Sequence, residues 1–216
     1  MGITERKERE KMQRREAIID AAEKVFFSRG VEHATMDDVA EAAELSKGTL
    51  YLYFSSKEEL YMAINLRGFV IITSLFEKAV DTGENGLNKV LRIGQAYVDF
   101  YRKYPDYFQA LLFYEARELK PAEGDSCAEA CFEAGHAPQE ILIGAIEEGI
   151  RDGSIRPDID PRLTATILWG QSTGIIQLFI TKGRHLEEAH GVHMDEIIRE
   201  AYRLMGAMLQ NTIKSA

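Results

Sequence analysis

Cysteine is scarce: the chain has two, Cys127 and Cys131, four residues apart. Two thiols cannot build a disulfide framework, and they fit a reducing compartment, so a cytoplasmic protein is expected. Five prolines and 17 glycines in 216 residues are too few for a linker-rich or fibrous chain. No apolar stretch accompanies the mixed-charge opening Glu5-Arg6-Lys7-Glu8-Arg9-Glu10-Lys11, so no signal peptide is predicted. A phosphate-binding glycine loop, a Ser-His-Asp set and a paired-carboxylate pocket are all missing, so neither catalytic residues nor a cofactor are expected. Cys127 and Cys131, with His136 nearby, lack the spacing of a metal site. A thiol sensor and a pair of inert thiols remain the two readings. His185, His190 and His193 flank a glycine-containing loop and read as solvated.

Uninterrupted hydrophobicity is also in short supply. Leu163 to Thr181 carries no charge, but seven of its residues are polar, from Thr164 to Thr181. In lipid those groups and two glycines would be costly, so the stretch is predicted to be a buried, partner-facing helix, and no membrane association is expected.

What is present is an ordinary globular composition, 45% hydrophobic and 28% charged. The net charge of −9 is uneven, because residues 1–57 are nearly neutral and the acidity lies beyond them. Six basic residues crowd into positions 6–15. They either lie along a polyanion or form a soluble lead-in, and the sequence leaves both open.

Apolar residues recur at i, i+3 and i+4, and no long run alternates with period two. The fold class is therefore all-α. A first helix is predicted from Glu8 to Arg29, stopped by Gly30, and Thr35 with Asp38 would cap a short second helix. Ser46 would cap a third through Phe54, and Ser56 with Glu59 would open a fourth reaching Asp81. Longer helices follow near 87–103, 105–119, 124–152 with an interruption at Gly135–Pro138, 161–182 and 193–213. The compositional boundary near residue 55 suggests two domains, 1–55 and 56–216.

Two short helices joined by a tight turn form a helix-turn-helix. The second of them begins Ser46-Lys47-Gly48-Thr49. Gly48 costs a helix about 1 kcal/mol relative to alanine, which suggests that something approaches its backbone closely. Lys47 and Thr49 offer a cation, a hydroxyl and a methyl at the end that meets base edges in a major groove. Tyr51 and Tyr53 suit a sugar-phosphate edge. Lys57 sits where helix amides already favour an anion, an unfavourable place for a cation unless a phosphate is near.

Ala17 to Tyr61 resembles the DNA-binding domain of the TetR family of bacterial transcriptional regulators. The match rests on Ala21-Ala22, Phe26, Gly30, Thr35, Val39-Ala40, Ala43, Ser46, Gly48-Thr49-Leu50-Tyr51, Tyr53-Phe54, Lys57 and Leu60. The resemblance implies an N-terminal three-helix DNA-binding domain, a larger helical ligand-binding and dimerisation domain, and a homodimer on a palindromic operator. It also implies that Thr35, Tyr53 and Lys57 contact phosphate, and Ser46, which caps the recognition helix, is expected among the DNA-binding residues. Lys47, Gly48, Thr49 and Tyr51 would face the groove.

Between Tyr97 and Tyr114 eight of 18 positions are aromatic, which marks either a filled core or the walls of a cavity for a small hydrophobic or aromatic effector. The candidate pocket comprises Phe69, Thr73, Phe76, Tyr97, Tyr101, Phe113, Tyr114, Arg117, Trp169 and Gln171. Gly170 and Gly174, on one helix face, invite close approach by a second copy, with Leu178, Tyr202, Met205 and Leu209 supplying apolar contact. The expected function is that of a ligand-responsive repressor. Control by a protein partner, or by no small molecule, is the alternative, and a helical carrier or enzyme is a third.

Overall fold

The computed structural model describes residues 2–81, 85–116 and 126–212. Among them the chain is helical: α1 (Ile3–Arg29), α2 (Met36–Ala42), α3 (Lys47–Tyr51), α4 (Lys57–Val80), α5 (Gly86–Lys103), α6 (Pro105–Ala116), α7 (Ser126–Asp152), α8 (Pro161–His190) and α9 (Met194–Leu209). The backbone packs into two compact units. One comprises 1–68 with 106–134, the other 69–105 with 135–216.

In the first unit, α1 buries Ile18, Ile19, Ala22, Val25 and Phe26. It ends at Gly30, whose φ of +80° places it where only glycine is unstrained. Thr35 caps α2 reciprocally: its hydroxyl accepts from the Asp38 amide at 3.2 Å while its own amide donates to the Asp38 carboxylate at 2.9 Å. The Thr35 hydroxyl also donates to the Asp38 carboxylate at 2.6 Å, and this bond, then the one from the Thr35 amide, holds Asp38 below the usual carboxylate range, with Arg29 adding to the effect. At the end of α2, Leu45 donates to the Ala40 carbonyl at 2.9 Å across Glu44, whose φ is +56°. That is a Schellman-type stop with glutamate in the place glycine usually fills. Behind these short helices Arg67 of α4 binds Glu16, Asp20 and Glu23 of α1, and the Tyr107 hydroxyl donates to Glu23. Burial opposes the Arg67 charge, yet three carboxylates more than offset it and raise its pKa. Burial, then Glu23, raises that of Tyr107.

In the second unit α5 and α7 cross where neither can carry a side chain. A Cβ on Gly86 would lie 2.1 Å from the Gly149 nitrogen. The Gly86 amide donates to Asp152 at 2.7 Å and the Leu87 amide to Ser154 Oγ at 3.1 Å, so the segment after α7 caps the start of α5. Ile155, fully buried, ties that segment to the end of α9, where the Arg156 amide donates to the Leu209 carbonyl at 2.9 Å.

Several expected boundaries move. Helix α1 starts five residues earlier, and α3 ends at Tyr51 rather than Phe54. The α7 helix runs through Gly135 and Pro138 unbroken. A single missing amide removes one hydrogen bond, and Pro138 is buried in packing that compensates. Helix α8 continues eight residues past 182 and stops at Gly191, with φ +62°. In the single chain the uncharged stretch of α8, expected to face a partner, leaves Leu163 67%, Ile167 55% and Leu178 42% exposed.

Candidate DNA-binding surface and effector cavity

The α3 helix is anchored by Leu50, fully buried, and by the buried Phe54 just beyond it. Its other side is open. Ser46 caps it through the Thr49 amide at 3.1 Å, and the Ser46 and Thr49 hydroxyls lie 2.8 Å apart. Lys47 and Gly48 are exposed, and a Cβ on Gly48 would meet nothing within 4 Å. The fold itself therefore does not require glycine at position 48. Tyr51 is 44% exposed and Tyr53 half-buried. Between them Leu52 is 81% exposed, an apolar residue the motif reading passed over because a leucine beside buried Leu50 reads as core.

Two cations behave differently from expectation. The Lys47 ammonium pairs with Asp37 at 2.7 Å, which raises its pKa, and the largely exposed ammonium keeps donors for a further acceptor. Lys57 turns to the α1–α2 connection and donates to the carbonyls of Val31 at 2.8 Å and Ala34 at 3.1 Å. The premise that a cation at this helix start needs a phosphate is therefore corrected: backbone carbonyls supply its partners. Thr35 is likewise engaged with Asp38. The Glu59 carboxylate reaches Ser55 rather than Ser56, accepting from its amide at 2.6 Å, while Ser56 Oγ accepts from the Glu59 amide at 3.0 Å.

In the second unit, α4, α5, α7, α8 and α9 enclose an apolar cavity of about 40 Å³. Phe76, Tyr97 and Trp169 line it, as predicted, together with Ile72, Leu142 and Leu168, which carried no local signal. Its polar groups are few. Tyr97 Oη lies 2.8 Å from Thr173 Oγ1, and the Tyr202 hydroxyl donates to the Gly94 carbonyl at 2.6 Å. Burial pushes Tyr202 up to about 12.

The rest of the expected pocket is not assembled there. Phe69 is buried against Gly135, Thr73 and Tyr101 are half-buried outside the lining, and Gln171 is exposed. Phe113 and Tyr114 belong to the first unit, where Phe113 packs edge-on against Tyr61 with ring centroids 5.8 Å apart. Arg117 lies outside the described residues. Aromatic density in the sequence ran across a junction that splits its members between two units.

The expected dimer residues divide by face. Gly170, Gly174 and Leu178 border an open groove on the outside of α8 and α9, and a Cβ on either glycine would meet nothing within 4 Å. Tyr202 and Leu209 instead turn inward, the Tyr202 ring abutting Gly94, while the buried Met205 borders both this groove and the inner cavity. The outward apolar residues of α9 are Leu204 and Met208, 49% and 59% exposed. Cys127 and Cys131 are buried free thiols. Burial pushes Cys131 up to about 12, far from thiolate reactivity at neutral pH.

Residues 18–64 match the model of the bacterial regulatory proteins of the tetR family. Over 155 residues the chain is 31% identical to the HTH-type transcriptional repressor KstR2 of Rhodococcus jostii, covering 72% of this chain and 74% of that protein. The chain belongs to the TetR family. Two solved structures share the TetR-like fold over nearly the whole length. A Rhodococcus protein of unknown function gives a TM-score of 0.74 at 24% identity, covering 91% of this chain and 95% of that one. The transcriptional regulator FadR of Bacillus subtilis, in complex with stearoyl-CoA, gives 0.69 at 18% identity, covering 90% and 98%. This TetR-family chain is thus a transcriptional regulator with a helix-turn-helix, and its relatives are not enzymes.

Proposed function

We propose that the protein is a repressor that binds a palindromic operator in the cytoplasm as a homodimer and is released by a small apolar effector. Residues 1–55 serve as the DNA-binding part and 56–216 as the ligand-binding and dimerisation part. The observation that carries the reading is the open face of α3: Lys47, Gly48 and Tyr51 project from a helix anchored on its opposite side by Leu50. Leu52, beside them, is suited to a thymine methyl or a deoxyribose. Dimerisation is assigned to the outer groove of α8 and α9, with Gly170, Gly174, Leu178, Leu204 and Met208 as its surface.

The effector is assigned to the α5–α8 cavity. Its apolar walls fit a hydrophobic ligand, in keeping with the stearoyl-CoA held by FadR and the KstR2 relationship. Entry requires the cavity to widen, because its present volume has room for a few water molecules only. That small volume also favours the second reading, in which a protein partner or no effector controls the regulator. A thermal-shift screen with fatty acyl thioesters and, since the similar KstR2 of Mycobacterium tuberculosis is a ketosteroid transcriptional regulator, steroids separates the two: a dose-dependent rise in Tm supports a small-molecule effector, and none contradicts it.

DNA recognition is tested by selecting bound duplexes from a random pool. Wild type is expected to enrich a palindrome, and the Lys47→Ala, Thr49→Ala variant to fold and dimerise but lose that selectivity by about 100-fold. A variant that enriches the same palindrome at wild-type affinity would refute the assignment.

A further inference from the structure

The first half of α1 has no packing role. Every residue from 4 to 14 is exposed, whereas burial begins at Ile18. An isolated helix of that length is marginal in water. Its internal support is slight: the Gly2 amide donates to Glu5 at 2.9 Å, and Arg6 pairs with Glu10 at 2.7 Å.

The charges on this overhang are ordered. At about 100° per residue, Lys7, Lys11 and Arg14 fall within about 60° of one another, and Ile18, Ala22 and Val25 continue the same stripe. One helix face therefore changes from basic to apolar as it enters the first unit. Glu5 lies roughly opposite, and Arg6 is occupied by Glu10. Lys7, Lys11 and Arg14 are exposed and, among the described residues, have no carboxylate partner. The overhang starts beside the recognition element, since the Arg15 guanidinium sits 4.8 Å above the Phe54 ring, next to Tyr53 and Ser55.

We infer that Lys7, Lys11 and Arg14 form a second DNA contact, binding backbone phosphates beyond the base pairs read by α3. Lys7 to Arg14 spans about 10 Å of helix. That is about three phosphate-to-phosphate steps of one strand, at ~3.4 Å of duplex axis per step, so the three cations reach phosphates within a run of four. An apolar partner would not choose a face bare of hydrophobic groups, and the closeness of the overhang to the segment after α3, through Arg15 and Phe54, favours phosphates of the duplex that α3 reads. The contact carries no base information, so it adds affinity and salt dependence without selectivity. The inference rests on the proposed DNA-binding function.

The test uses the full chain with Lys7, Lys11 and Arg14 all changed to Gln, titrated over a salt series. The probes are the wild-type-selected palindrome and a random duplex, each with and without ten flanking base pairs. Each lost phosphate contact removes about 0.9 from the slope of log K against log salt. The triple variant is expected to lose 2 to 3 from that slope, equally on both sequences, and to stop benefiting from the flanks. Arg6→Gln is expected to change the slope by less than about 0.5. A triple variant with wild-type slope and flank dependence, in a protein whose Lys47→Ala, Thr49→Ala form loses selectivity, overturns the inference alone. A fall in slope from Arg6→Gln as large as one third of the triple variant's also overturns it, because net charge would then be responsible. Wild type that selects no duplex sinks the underlying function as well.

Discussion

The α3 face and the cavity of the second unit place their working groups in opposite ways. On α3 the groups stand in water on a five-residue helix held by one cap and one buried leucine. In the cavity they are walls of a core drawn from five helices, with each tyrosine hydroxyl already bonded. A substitution on α3 should therefore alter recognition and leave stability nearly untouched, whereas one around the cavity should alter stability first. In the free protein Lys47 pairs with Asp37, a contact between two largely exposed side chains that contributes little.

Breaking the second unit should give the largest effect. Gly86→Ala puts a methyl group against the Gly149 backbone, where no flexible side chain can yield. It should cost about 3 kcal/mol or more, read as a fall in the denaturation midpoint. A loss below about 1 kcal/mol would mean that the α5–α7 crossing is looser than described.

Lys57→Gln sharpens the comparison, since it separates a structural cation from a DNA-binding one. Losing the bonds to the Val31 and Ala34 carbonyls should cost about 1–2 kcal/mol of stability. If Lys57 also meets a phosphate, the salt slope should fall by about one; an unchanged slope would assign the residue wholly to the fold.

The smallest effect is expected at the turn before α3. Glu44→Gly relieves a left-handed backbone angle and should raise stability by about 0.5–1 kcal/mol without changing operator affinity. A destabilised variant would show that the Glu44 side chain contributes more than its conformation costs.

How much of this was legible in the sequence follows the range of each interaction. The Thr35–Asp38 cap, the Ser46 cap and the stop at Gly30 are written within four residues, and all three stand as read. Phe76, Tyr97 and Trp169 were found as cavity walls because large aromatics stand out in a sequence. Ile72, Leu142 and Leu168 were not, since an aliphatic residue facing a cavity looks like any other in the core. On α9 two apolar stripes compete. Tyr202 and Leu209 fit the helical period as well as Leu204 and Met208 do, with Met205 at the border of both, and periodicity cannot say which stripe turns inward. The carbonyl partners of Lys57 lie more than 20 residues away, beyond any local motif.

The central claim is that α3 meets DNA with its open face, and Gly48 tests it with opposite signs. Gly48→Leu fills empty space in the free protein and improves helix propensity, so its melting temperature should stay level or rise. Its affinity for the selected palindrome should fall by more than about tenfold, because the new side chain occupies the space that DNA requires. A Gly48→Leu protein that melts as expected and still binds the palindrome like wild type would contradict the account.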